Sequence, residues 1–122
     1  MINELVHAYY QTILSNITVP CHVIIVGVIP PTRREDYEAI HGPILHEFPF
    51  IGTDEDRVRY TNKMNGALEE WARTHKHHYF NPYAYYTRED GTLHFELSDE
   101  VVHIGDNSHV LEQFYELLEN IK

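Results

Sequence analysis

The sequence predicts an α/β fold in which a short parallel sheet of two or three strands is flanked by helices. Residues 23–29 are apolar on both faces and rich in β-branched side chains, as a buried parallel strand is. A helical pattern separates this strand from a second strand candidate at residues 78–80, which is the order of a right-handed crossover unit. With 122 residues, the chain is expected to form one domain, residues 1–122.

Three segments have the spacing of apolar residues that is typical of amphipathic helices. The first covers residues 2–14 and is expected to stop at Ser15 and Asn16. The second begins after Thr53, whose hydroxyl can cap the helix while Asp56 occupies the reciprocal position, and runs to about His75. The third runs to the end of the chain and is expected to open at Asp106 or Asn107, two caps between which the sequence does not decide.

The segments between these elements are predicted from turn residues and from alternation. Pro30 and Pro31 end the first strand, and residues 32–52 are expected to form a long irregular stretch. Residues 87–91 are a turn, residues 93–97 alternate as a half-exposed strand or extended arm, and residues 98–105 form a loop.

Two strands are too few for a sheet that contains a strand apolar on both faces. Such a strand needs a neighbour on each edge. We therefore expect either a homo-oligomer or a second polypeptide that completes the sheet.

The charge of the chain narrows the classes of partner. The net charge is −10, from 19 acidic residues against 9 Lys and Arg, and a field of that sign repels phosphate backbones and anionic lipid surfaces. We expect no nucleic acid and no membrane as partners. A single cysteine, Cys21, and the lack of a secretory signal pattern at the start favour a cytoplasmic location.

The strongest candidate for chemistry is the loop of residues 98–105, which precedes the last helix. It contains Asp99, Glu100 and His103. A carboxylate can hold an imidazole in one tautomer, so that the other ring nitrogen can act as a base. Ligands of open α/β sheets bind beyond the carboxyl ends of the strands, and this loop is expected to reach that rim. The alternative interpretation is a pair of side chains exposed to water.

Four stretches together resemble the C-terminal half of an SGNH (GDSL-type) hydrolase: residues 23–32, residues 52–60, residues 64–65 and residues 97–104. The resemblance implies a partial flavodoxin-like three-layer sandwich and hydrolysis of ester or acetyl groups. Carried over by position, His103 matches the general base of the family and Asp99 the acid that orients it. The acid of the family usually lies three residues before the histidine, where this chain has Glu100, so either acid is a candidate.

The resemblance leaves the catalytic site incomplete. The nucleophile of the family lies in a Gly-Asp-Ser motif, and none of the serines here, Ser15, Ser98 and Ser108, has that context. The oxyanion residues of the family precede the part that this chain matches. We therefore expect a hydrolase-like unit that carries the Asp/His pair alone and is inactive by itself. The alternatives are a non-catalytic module that self-associates and, more weakly, a His-rich metal-binding protein. No cofactor or metal is expected.

Other candidate motifs have simpler interpretations. Asp106 and His109 repeat the acid–histidine spacing, but a helix cap explains them better. The segment of residues 75–78 has three histidines but no cluster of carboxylates or thiols beside it. Cys21 resembles a packed thiol rather than a nucleophile.

Two further motifs also have structural explanations. Arg33 and Arg34 are interpreted as ion-pair partners for acids of this chain rather than as a phosphate site. The tyrosine-rich residues 79–86 are interpreted as a mixture of core and rim.

Overall fold

The computed structural model describes residues 1–46, 50–105 and 108–121. Its elements are five α-helices and two short strands, and their order is helix, strand, two helices, strand, two helices. They are α1 (Ile2–Asn16), β1 (Ile24–Val26), α2 (Arg34–His41), α3 (Asp54–Thr74), β2 (His78–Phe80), α4 (Tyr83–Tyr86) and α5 (Leu111–Ile121). The predicted α/β fold is confirmed: the two strands pair in parallel and helices flank them. Among the described residues, no helix combines the length and the apolar character needed to cross a bilayer.

The first core lies between the sheet and the two longest helices. Ile25 of β1 packs with residues of α1 and α3, and its register partner Tyr79 packs against the same cluster. The buried members from the helices are Ile2, Val6, Tyr10, Leu68 and Ala72. These residues belong to the predicted apolar stripes of the two helices, but Leu5 and Tyr9 of the α1 stripe are each 52% exposed, so that stripe is only partly buried.

The second core is smaller and is built after β2. Tyr86, Leu93 and Val110 are buried together, and Phe80 packs against them. Phe80 and Tyr79 are adjacent in β2 and alternate across the sheet, so the two cores lie on opposite faces. The register partner of Phe80 is Val26, which is 55% exposed, so the second core does not extend over β1.

The strand predicted for residues 23–29 is shorter than its apolar run. β1 ends at Val26, and Asn65 of α3 then pairs with the backbone of Val28. The side-chain Nδ2 of Asn65 donates to the Val28 carbonyl at 2.9 Å, and its Oδ1 accepts from the Val28 N–H at 2.7 Å. A side-chain amide therefore takes the place of a neighbouring strand at this position. The expectation of a strand apolar and buried on both faces is wrong, because Val26 and Val28 (40% exposed) are not covered.

The expectation that residues 32–52 form a long irregular stretch is wrong, because this stretch contains the helix α2. Arg34 and Glu38 form an ion pair one turn apart at 2.8 Å. The cap of α2 comes from elsewhere in the chain: Asp54 Oδ1 accepts from the Arg34 N–H at 3.0 Å. Because the capping residue is 20 positions away, no local pattern signals it.

Local sequence signals were more accurate at the start of α3 and in the turn that follows α4. Thr53 and Asp56 form the predicted capping box, with the hydroxyl accepting from the Asp56 N–H at 3.0 Å. The turn at residues 87–91 is present, with Gly91 at φ 87°.

The predicted arm and the start of the last helix need correction. Residues 93–97 do not form a strand: Leu93 makes an isolated bridge with Thr87, and Phe95–Leu97 form a 3₁₀ turn. Before α5, the structure has a 3₁₀ turn at Ser108–Val110. The two candidate caps, Asp106 and Asn107, lie outside the described residues.

Candidate functional site

The loop of residues 98–104 is closed on itself by its own backbone. Ser98 and Ile104 form a bridge, and the Asp99 N–H donates to the His103 carbonyl at 2.8 Å. Glu100 has φ 68°, a left-handed conformation that is rare for a residue with a side chain. The loop stabilises that conformation, because the Ser98 hydroxyl oxygen accepts from the Glu100 N–H at 2.9 Å.

Two other elements anchor this loop at the carboxyl end of β1. The buried Thr32 hydroxyl, which follows Pro31, donates to the Val101 carbonyl at 3.0 Å. The Nε2 of His41, the last residue of α2, donates to the Glu100 carbonyl at 2.7 Å. The loop therefore lies at the strand rim where ligands of open α/β sheets bind.

Asp99 and His103 are brought together in this loop. Asp99 Oδ2 lies 3.2 Å from His103 Nδ1, while Asp99 Oδ1 accepts from the backbone N–H groups of Val101 at 2.9 Å and His103 at 3.1 Å. A ring that donates through Nδ1 has its lone pair at Nε2. The His103 side chain is 75% exposed, so the ring is accessible from outside the loop.

The charge of Asp99 suits the role of an orienting acid. The hydrogen bond from the His103 N–H, followed by that from the Val101 N–H, lowers the pKa of the Asp99 carboxyl below its usual value. The carboxyl is therefore ionised at neutral pH and accepts from the imidazole. Between the two acids considered from the sequence, Asp99 is the one whose carboxylate contacts the ring.

The orientation of His103 gives a prediction that tests Asp99 against Glu100. We expect the neutral His103 ring to be held with its proton on Nδ1, and Asp99→Ala to release it into exchange between both tautomers. Glu100→Ala is the matched control and should leave the tautomer unchanged, because no contact of the Glu100 carboxylate with the ring is present. Imidazole ¹⁵N shifts measured above pH 7.5 report the tautomer. An effect of Glu100→Ala equal to that of Asp99→Ala would contradict the assignment.

The other residues that the sequence offered as candidate sites have no partner arrangement that resembles a catalytic or metal site among the described residues. Arg33 and Arg34 pair with Glu35 and Glu38, which confirms their interpretation as ion-pair partners. Cys21 is exposed, so its interpretation as a packed thiol is wrong. In the part of the chain that the structure describes, no group of three or more His, Cys, Asp or Glu side chains is arranged to hold a metal ion. Asp106 and the side chain of His109 lie outside what the structure describes.

The tyrosine-rich segment contains both core residues and surface residues, as expected. Tyr83 and Tyr86 are buried, whereas Tyr85 is 39% exposed at the surface. The Tyr79 hydroxyl donates to the Asn65 carbonyl at 3.2 Å, and burial raises the pKa of Tyr79 to about 12. These contacts make the segment part of the core.

Sequence reasoning missed a cavity beside this loop, and no local motif could have revealed it. A groove of about 610 Å³ lies against the start of α3, and a smaller cavity of about 230 Å³ shares Pro31, Arg57 and Thr61 with its lining. Val102, the neighbour of His103, lines the smaller cavity together with Pro31 and Arg57.

A comparison of this chain with protein-family models, curated proteins and solved structures finds no match.

Proposed function

We propose that this chain supplies the acid–base pair of an ester- or acyl-hydrolysing site of the SGNH (GDSL-type) kind. The observation that carries the proposal is the contact of Asp99 Oδ2 with His103 Nδ1 at 3.2 Å, on a loop anchored at the carboxyl end of β1. In this proposal His103 Nε2 takes the proton of an attacking serine hydroxyl and returns it to the leaving alkoxide. Asp99 stays ionised and stabilises the imidazolium that forms between the two transfers.

The serine is proposed to come from a second unit. Ser98 is the serine in the same loop as His103, and its hydroxyl already donates to the Phe95 carbonyl at 2.6 Å. It also accepts from the Glu100 N–H, so it is used in holding the loop. Without a nucleophile and oxyanion donors, an acid–base pair alone loses orders of magnitude in rate.

The outer edge of β1 is a suitable place for this second unit. The Val23 carbonyl and the Gly27 N–H form hydrogen bonds with β2. Because alternate residues of a strand point their backbone groups to opposite sides, the N–H and C=O groups of Ile24 and Val26 point away from β2. The described residues provide no strand on that side. The edge also lacks the charges that protect free edges: the sequence has no Asp, Glu, Lys or Arg between Glu4 and Arg33. An added strand would extend the sheet and cover Val26.

The same edge favours one alternative, a non-catalytic module that self-associates through β1. Two copies related by a two-fold axis can pair their edges antiparallel, because Ile24 of one copy can oppose Val26 of the other. This alternative needs no companion with a serine.

The test is fluorophosphonate labelling of the tagged chain isolated from its native cells, as wild type, His103→Ala and His94→Ala. His94 is the matched control, an exposed histidine outside the loop. We expect no adduct on this chain by intact mass, and a labelled companion with the wild type and His94→Ala. With His103→Ala the companion should be recovered in equal amount but unlabelled.

Two outcomes would contradict this proposal. An adduct on the chain itself would show that it contains its own activated nucleophile. Equal labelling of the companion with His103→Ala would show that His103 is not the base. If sedimentation shows a homodimer and no companion is labelled, the self-associating module is the better description.

A further inference from the structure

The last helix, α5, lies against the rest of the fold without burying any of its described side chains. Phe114 contacts the sheet, with its ring 5.3 Å from that of Phe80 in β2 between centroids. Leu117 and Ile121 are half-buried and lie on the same face of the helix as Phe114. One face of α5 is therefore turned to the fold, and its other faces are open.

A second apolar stripe of α5 has no cover in the part of the chain that the structure describes. Leu111, Tyr115 and Leu118 are 36%, 58% and 37% exposed. They are spaced i, i+4 and i+7, so they lie in one row along the helix. Apolar side chains at this spacing are the anchors by which one helix packs against another, and tyrosine is enriched among the residues that contribute most to binding. The stripe thus has the pattern of a helix-binding surface.

A row of glutamates borders this stripe. Glu112, Glu116 and Glu119 have the same i, i+4 and i+7 spacing and are exposed. With about 3.6 residues per turn, their row lies on the side of the stripe that is away from Phe114. The ion pairs among the described residues are formed by other acids. The three carboxylates are therefore available to the cations of a partner.

The negative charge of the chain is concentrated in the part of the sequence that includes α5. Residues 89–121 contain nine of the 19 acidic residues and no Lys or Arg, whereas the rest of the chain has nearly equal numbers of acidic and basic residues. A field of this sign steers a basic partner to the helix and repels anionic lipid surfaces. A second copy of this chain is a poor occupant, because its own α5 presents the same glutamates.

We propose that the open face of α5 binds an amphipathic helix of a partner protein. The apolar side chains of that helix pack on Leu111, Tyr115 and Leu118, and its Lys or Arg side chains pair with the glutamate row. The 11 residues of α5 offer a contact about 16 Å long, which is three turns of a partner helix. This inference goes beyond the proposed hydrolytic role and does not depend on it.

The test is an NMR titration of the ¹⁵N-labelled chain with a synthetic probe. The probe is an alanine-based helical peptide with leucines at i, i+4 and i+7 flanked by lysines, and its charge control has glutamates in place of the lysines. We expect saturable shifts of the α5 amides, with the basic peptide bound on the order of tenfold more tightly than the acidic one. Raising the salt concentration should weaken binding of the basic peptide.

Two pairs of variants separate the stripe from the glutamate row. Tyr115→Ser should weaken binding on the order of tenfold. Tyr9→Ser is its matched control, since Tyr9 is 52% exposed on α1, and should change the affinity less than about twofold. Glu116→Lys should weaken binding about fivefold, whereas Glu70→Lys on the exposed face of α3 should change it less than about twofold.

Four outcomes would overturn the proposal. They are no saturable binding of the basic peptide, equal binding of the acidic peptide, equal losses within either pair of variants, and shifts that lie outside α5. If the α5 amides instead shift when the chain is diluted without peptide, and Tyr115→Ser removes that dependence, a second copy is the occupant and the proposal is also wrong. His103→Ala should bind the peptide as the wild type does, so this test and the fluorophosphonate labelling can fail independently.

Discussion

Asn65→Leu is expected to lower the free energy of unfolding by about 2–4 kcal/mol, because it leaves the Val28 N–H and C=O without partners. The Asn65 side chain is 4% exposed, so water cannot easily replace the lost amide. Leucine has a similar volume, and the loss is therefore of hydrogen bonds rather than of packing. Urea denaturation followed by circular dichroism measures the change.

Asn62→Leu is the control for this prediction. Asn62 lies one turn earlier on α3, is exposed, and donates its side-chain amide to the Val58 carbonyl of its own helix at 2.9 Å, with a longer contact of 3.5 Å to the Tyr83 hydroxyl. Its replacement should change the free energy of unfolding by less than about 0.5 kcal/mol. Equal losses for the two variants would mean that the bidentate pairing of Asn65 with Val28 does not stabilise the fold.

The backbone of Val28, which lies beyond the end of β1 and pairs with Asn65, leads into the candidate site. Val28 is followed by Pro31, which lines both cavities, and by Thr32, which anchors the loop of Asp99 and His103. A substitution of Asn65 is therefore expected to alter the position of the residues at the strand rim.

Sequence patterns predicted those parts of the fold that depend on neighbours along the chain. The faces of α1 and α3, the Thr53 capping box and the turn at Gly91 follow from periodicity, from a cap three residues away and from positive φ. Each of these signals is complete within one or two helical turns.

The errors have a common origin in contacts between distant residues. α2 was missed because its cap, Asp54, belongs to another helix. The strand predicted for residues 23–29 ends at Val26, and beyond that end Asn65 of α3, rather than a strand, pairs with the backbone of Val28. The site divides in the same way: Asp99 and His103 are four residues apart and were predicted, whereas the groove assembles Met1, Pro31 and residues at the start of α3 and was not.

The last prediction concerns a stack of rings between α1 and the end of α3. The Tyr10 ring lies 5.7 Å from that of Trp71, 5.3 Å from that of His75 and 5.8 Å from that of His77, nearly parallel to each. The Tyr10 hydroxyl, His75 Nε2 and His77 Nδ1 are buried without hydrogen-bond partners. Tyr10→Ala should therefore cost about 3–5 kcal/mol, as removal of a buried aromatic ring does.

The stack also makes stability depend on pH. Burial, with further contributions from the charges of His75 and His78, lowers the pKa of His77 below its usual value. The unfolded chain then binds more protons than the folded chain as the pH falls through about 6.5, so the free energy of unfolding decreases. The loss continues down to the pKa of the folded state. The depressed carboxyl pKa values of Asp56 and Asp99 act in a separate window, below about pH 4.

His77→Gln should reduce the slope of stability against pH between 7 and 5, and the exposed His94→Gln should leave it unchanged. Urea unfolding at several pH values, with Trp71 fluorescence as the probe, measures both slopes. An unchanged slope in His77→Gln would assign the dependence to other histidines. A reduced slope would identify the contact between α1 and the end of α3 as the part of the fold that acid weakens first, because the protonated ring must either lose its burial or separate from Tyr10.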